Sequence, residues 1–241
     1  MRYVIRAAAI SVLAVGLSGC AATQVALEHR NLAVQTKMSN TIFLPPVPPS
    51  DQTVYVQFKN TSDKNLDVAA LEQEIDANLS TQGYRVVPFT DAHYLLQITV
   101  LSVGKMSEAA AQKSLADGYG GAAFGAVAGG VIGQSWTGAG AGALVGSAIG
   151  LVADSLVKDV TYGMITDVQV GVRSAHAVQQ QTNANLQQGT STSTTQQISG
   201  VGHWMYYRTR VVSTANRVNL SFQTAVPALQ AQLVHSISGI L

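Results

Sequence analysis

The residue with the most definite chemistry is Cys20, the single cysteine in 241 residues. It closes the tetrad Leu17-Ser18-Gly19-Cys20, behind a basic pair, Arg2 and Arg6, and an apolar run from Ala7 to Leu17. That order matches a bacterial lipobox. The thiol sulfur takes a diacylglycerol as a thioether, the chain is cut before Cys20, and Cys20 then carries an N-acyl diacylglycerol group. The apolar run is too short for a spanning helix and is removed with the leader. Ala21 follows, where aspartate would be the usual inner-membrane retention signal, so the expected destination is the outer membrane. Several acyl chains anchor stably where one would be marginal. With Cys20 consumed, no disulfide framework or cysteine metal site is available.

Other constellations lead nowhere. His29, His93, His176, His203 and His235 are scattered, with no pair at metal-ligand spacing. Gly133-Gln134-Ser135-Trp136-Thr137-Gly138 has one residue too many for a nucleophile elbow. Gly118-Tyr119-Gly120-Gly121-Ala122-Ala123 fits a loose dinucleotide pattern, without a ribose-binding acid in context. Gly104-Lys105 is followed by Met106 rather than Ser or Thr, so it is no phosphate loop. Arg208 and Arg210 share one strand face and are expected to be solvated. No catalytic residue, no metal site and no cofactor beyond the covalent lipid are expected, and the protein is read as a non-enzyme. Loss of Arg2 and Arg6 from fourteen basic residues leaves twelve against thirteen acidic ones, which argues against a nucleic-acid partner. Only 11% of residues are charged, as expected where much surface faces lipid or other subunits.

The elements that would carry these residues follow from periodicity. Pro45, Pro46, Pro48 and Pro49 end a tether without helical period. Val54, Val56 and Phe58 alternate with Tyr55 and Gln57, a half-buried strand. Val68, Leu71, Ile75 and Leu79 lie at helical spacing, and Gly83 stops that helix. Strands are expected over 84–87, 93–103, 164–172 and 206–212, and helical character over 109–116. Val226, Leu229, Leu233, Ile237 and Ile240 mark an amphipathic C-terminal helix. No Asp, Glu, Lys or Arg occurs from Ser174 to Tyr207, and Gln179 to Gly200 is almost wholly amide, hydroxyl and glycine. That segment is a long exposed loop or a pair of polar strands.

Between Asp117 and Asp154 lies a stretch, Gly118 to Ala153, with no charged residue. Glycine recurs there every fourth residue in two series: Gly121, Gly125, Gly129, Gly133, then Gly138, Gly142, Gly146, Gly150. Residues four apart share a helix face. Such a groove costs about 1 kcal/mol per glycine relative to Ala in a water-exposed helix, but lets backbones approach closely in lipid. The expectation is a transmembrane helical hairpin with Gln134 and Trp136 at its tip, Trp being suited to an interface. Each arm would be about 22 Å long at 1.5 Å per residue, nearly the thickness of the thin outer membrane. A hairpin so weakly apolar implies many copies packed together. The fold class expected is α+β, a mixed α/β domain interrupted by this glycine-rich membrane hairpin. The expected organisation is a signal peptide at 1–19, a lipidated tether at 20–50, a first domain part at 51–117, the hairpin at 118–153, and a second part at 154–241. That second part carries the polar loop 179–200 and the C-terminal helix.

Several blocks resemble the TraT surface-exclusion lipoproteins. They are Arg30-Asn31-Leu32, Lys37-Met38-Ser39, Thr41-Ile42, Asn60-Thr61-Ser62-Asp63-Lys64, Met164-Ile165-Thr166-Asp167-Val168-Gln169, Tyr207-Arg208-Thr209-Arg210-Val211-Val212-Ser213 and Asn216-Arg217-Val218-Asn219-Leu220. The resemblance implies a plasmid-encoded outer-membrane lipoprotein, exposed in part at the surface, that hinders redundant conjugative mating aggregates and is associated with complement resistance. It implies a ring-like homo-oligomer in contact with outer-membrane lipid, and pilus or outer-membrane proteins of the donor cell as further partners. It carries over Cys20 as the lipidated position and the eight glycines as packing positions. The alternative is an oligomeric outer-membrane pore or secretion-system lipoprotein.

Overall fold

The computed structural model describes residues 29–120, 158–188 and 192–241, with 177–188 and 192–202 described as backbone only. In chain order the elements are β1 (Ala33–Met38), β2 (Thr53–Asn60), α1 (Val68–Thr81), β3 (Arg85–Val86), β4 (Tyr94–Lys105), α2 (Glu108–Asp117), β5 (Asp159–Gln188), β6 (Thr192–Val218) and α3 (Phe222–Ser238). The strands form one six-stranded sheet in the order β1-β6-β5-β4-β2-β3. β2 runs parallel to both β3 and β4; the pairs β4–β5, β5–β6 and β6–β1 are antiparallel.

Local chemistry explains the helices. Asp67 caps α1 by accepting a hydrogen bond from the Ala70 amide at 3.0 Å, and Leu71, Ile75 and Leu79 turn one face into the core. The chain leaves α1 through Gly83 at φ +95°, in the left-handed region that glycine tolerates. Ser221 caps α3, whose Ala225, Leu229, Leu233 and Ile237 are buried. These two helices pack on one face of the sheet over Val54, Val56, Leu96, Ile98, Met164, Val168 and Val211. The other face is only partly covered: α2, capped by Ser107, sets Ala111 against Ile165 and Val212.

This architecture corrects the expected fold class. What stands is a single mixed sheet with two helices on one face and one on the other, dominated by a β-hairpin whose arms are 30 and 27 residues long. Among the described residues there is no helical hairpin of the expected kind. No helix among the described residues is long and apolar enough to cross a membrane. Residues 121–157, where the eight glycines, Gln134 and Trp136 fall, lie outside the described residues.

Two further differences are instructive. Of the polar stretch 179–200, open between loop and strands in sequence, residues 179–188 and 192–200 belong to the distal arms of β5 and β6, which pair in the register Gln181↔Ser199, Asn183↔Gln197 and Asn185↔Thr195. Residues 33–38 of the tether form β1, which completes the sheet edge by pairing Ala33↔Asn216 through Met38↔Val211.

Candidate functional site

The partly covered face of the sheet holds the main concentration of polar side chains. Register alone assembles its first row, because Gln57, Gln97, Gln169 and Arg208 stand opposite one another on β2, β4, β5 and β6. Their side chains bond in sequence. Gln97 Nε2 donates to Gln57 Oε1 at 2.8 Å, Gln169 Nε2 to Gln97 Oε1 at 2.7 Å, and Arg208 Nε to Gln169 Oε1 at 2.6 Å. Cross-strand polar pairs of this kind fix register.

Two residues along each strand, on the same face, the next row carries Thr99, Asp167 and Arg210. Arg210 is fully buried and binds Asp167 through a two-pronged contact, Nε to Oδ1 at 2.7 Å and Nη2 to Oδ2 at 3.0 Å. Planar guanidinium suits this geometry. The Gly120 amide adds a hydrogen bond to Asp167 Oδ2 at 3.0 Å, just past the C-terminus of α2. Tyr119 covers the Arg208 guanidinium, its ring centroid 5.4 Å away. Burial pushes the Tyr119 phenol above its ordinary value, with Asp167 adding to the rise and Arg208 opposing it. A groove of about 420 Å³ opens here between Gln57, Lys59, Gln97, Tyr119 and Asp167.

Further along the face the chemistry turns aromatic. Phe89 stacks on Trp204 at 5.5 Å and meets Tyr55 edge-on at 5.8 Å, while the Arg173 guanidinium lies 4.8 Å over the Trp204 ring. Gly171 makes this packing possible, since a Cβ there would sit 3.1 Å from ring carbons of both Trp204 and Tyr206.

These side chains bond to one another and order the face, and among the described residues that line it none is a nucleophile with a base beside it. Among the described residues no group of three His, Cys, Asp or Glu could hold a metal ion. His29 hydrogen-bonds to Asn216, and His93 packs edge-on against Tyr94. The expectation of two solvated arginines is corrected at Arg210, which is buried in the ion pair with Asp167. Cys20 and the eight glycines lie outside the described residues. Sequence reasoning missed Asp167, Gln57, Gln97 and Gln169 as a set. The available signal was a lone polar residue recurring within alternating apolar strands, but only pairing reveals that the four strands contribute to common rows.

Comparison with known proteins places the chain. The family model described as Enterobacterial TraT complement resistance protein matches residues 31–241. A TraT complement resistance protein of Escherichia coli is 45% identical over 230 residues, covering 93% of this chain and 93% of its own. Its counterpart in Escherichia coli strain K12 is 46% identical over the same shares. One from Wigglesworthia glossinidia brevipalpis is 24% identical over 247 residues, covering 96% of this chain and 94% of its own. Among solved structures, a PelC dodecamer from Paraburkholderia phytofirmans aligns with 86% of this chain and 98% of its own at 10% identity, with a TM-score of 0.33; at that score nothing about assembly or activity follows. With the family model spanning both the buried Asp167–Arg210 pair and the long β-hairpin, the chain belongs to the TraT complement resistance protein family.

Proposed function

We propose that this chain is a lipid-anchored outer-membrane protein, partly exposed at the surface and assembled with copies of itself, that shields its host cell. It hinders the mating aggregates of redundant conjugative transfer and resists complement. The observation that carries this reading is 45% identity over 93% of the chain to a TraT complement resistance protein. The lipobox ending in Cys20 supplies the anchor, and the 11% charged content suits a surface spent on lipid and subunit contacts.

Serum survival tests the reading. Serum-sensitive cells expressing the chain are expected to outlive cells with an empty vector in active serum, and to match them in heat-inactivated serum. Cys20→Ala is expected to remove the advantage by abolishing the lipid anchor. Equal survival of vector and wild-type cells, with the protein present in the outer membrane, would overturn the proposal.

A further inference from the structure

The long β-hairpin outruns the sheet that supports it. β4 accompanies β5 only as far as Tyr94↔Val172. β1 accompanies β6 only over Val211 to Asn216. Past a register shift between Arg173 and Val178, the two arms continue alone as a ribbon of eleven opposed residue pairs, from Val178↔Gly202 to Gln188↔Thr192. At about 3.4 Å per residue the ribbon reaches about 35 Å. Both of its outer edges lack a partner strand among the described residues.

An isolated two-stranded ribbon is at best marginally stable in water. Exposed edges also template pairing with other chains, and proteins usually blunt them with charges, prolines, bulges or short strands. Here the strands are long, and Ser174 to Tyr207 contains no Asp, Glu, Lys, Arg or Pro. The register shift lies at the base, so nothing interrupts pairing along the eleven pairs themselves. The composition is rich in Gln, Asn, Ser and Thr, the residue types that form cross-strand amide and hydroxyl ladders.

We propose that this ribbon is the interface through which copies of the chain join, the Val178–Gln188 edge of one protomer pairing antiparallel with the Thr192–Gly202 edge of the next. The sense of the strands allows it without distortion. Within a ribbon the arms run in opposite directions, so placing the first arm of one copy beside the second arm of another again opposes them. The two edges differ, which makes the contact head-to-tail, and such contacts close into rings when the rotation permits. Closure gives every ribbon edge a partner and yields a continuous antiparallel β-wall of two strands per copy. The proposal rests on the self-assembly in the preceding section and specifies its contact; it does not depend on what the assembly does for the cell.

The test uses full-length lipidated protein extracted in detergent. Wild type is expected to show a discrete oligomer by native mass spectrometry. A variant in which Asn-Gly replaces residues 177–202 closes the hairpin with a two-residue turn. It is expected to give monomer, with helix content by circular dichroism unchanged. In a second measurement, chains with Asn183→Cys are co-expressed with differently tagged chains carrying one cysteine at each position from 193 to 201. A disulfide between the two tags, peaking at one position, is expected. A shortened variant that keeps the wild-type oligomer, a monomeric wild type, or no cross-link at any position would each overturn the proposal. These readouts are independent of serum survival, so ribbon pairing and cellular role fail separately.

Discussion

Arg210 is the largest fully buried side chain in the described structure. Asp167 is its charge partner. Removing one member of a buried pair leaves an uncompensated charge, at a cost of about 3–5 kcal/mol. Arg210→Ala is therefore expected to lower the urea midpoint sharply, whereas Arg210→Met combined with Asp167→Leu loses much less. Equal losses in the two variants would contradict this account of the pair. The sequence showed two arginines on one strand face, and that was correct as periodicity. It did not show that α2 and the turn at Gly120 close over one of them, because that depends on the path after β4. Asp76 on α1 offers a finer test. Burial raises its carboxyl above the ordinary 3.8, and Glu72 one turn earlier adds to the rise. The fold thus favours the protonated form. The associated stability is present below the ordinary pKa and is lost as pH rises through the raised one. Relief of the like-charge i,i+4 pair alone is worth about 0.2–0.5 kcal/mol. Asp76→Asn is expected to raise the melting temperature at pH 7 and to match wild type near pH 3. An advantage that persists at low pH would refute this cause.

Among the elements, the amphipathic ones were legible. α1 buries Leu71, Ile75 and Leu79 of the set its spacing marks, α3 buries Leu229, Leu233 and Ile237 of its own, with Val68 and Val226 partly buried, and β2 alternates as Val54, Val56 and Phe58 require. β1 was not legible, because an edge strand held by pairing with β6 does not need an apolar face of its own. The distal arms of β5 and β6 were ambiguous for a related reason. Their composition offers no two-period hydrophobic signal, and pairing between arms, not burial, defines them as strands. The same lack of charge and proline that hid the ribbon in sequence makes its edges competent to pair. Excision of 177–202 is the variant that separates this element from the supporting sheet.

For the whole molecule, the expected fold class was not the one the chain adopts. Helical spacing of glycine at Gly121 to Gly150 suggested that the chain would be organised around a membrane hairpin; the described fold is organised around one mixed sheet and its long β-hairpin. Family membership was readable, since the blocks at 164–169 and 207–213 carry the Asp167–Arg210 pair and the rows beside it. The proposed function has the protein act from the cell surface, anchored through Cys20 and assembled with copies of itself. The measurement that tests this claim most directly is transfer of a related conjugative plasmid into recipients expressing the chain. Transfer is expected to fall relative to vector recipients, with Cys20→Ala recipients restored to the vector level. Undiminished transfer into cells that carry the wild-type protein in their outer membrane would contradict the account.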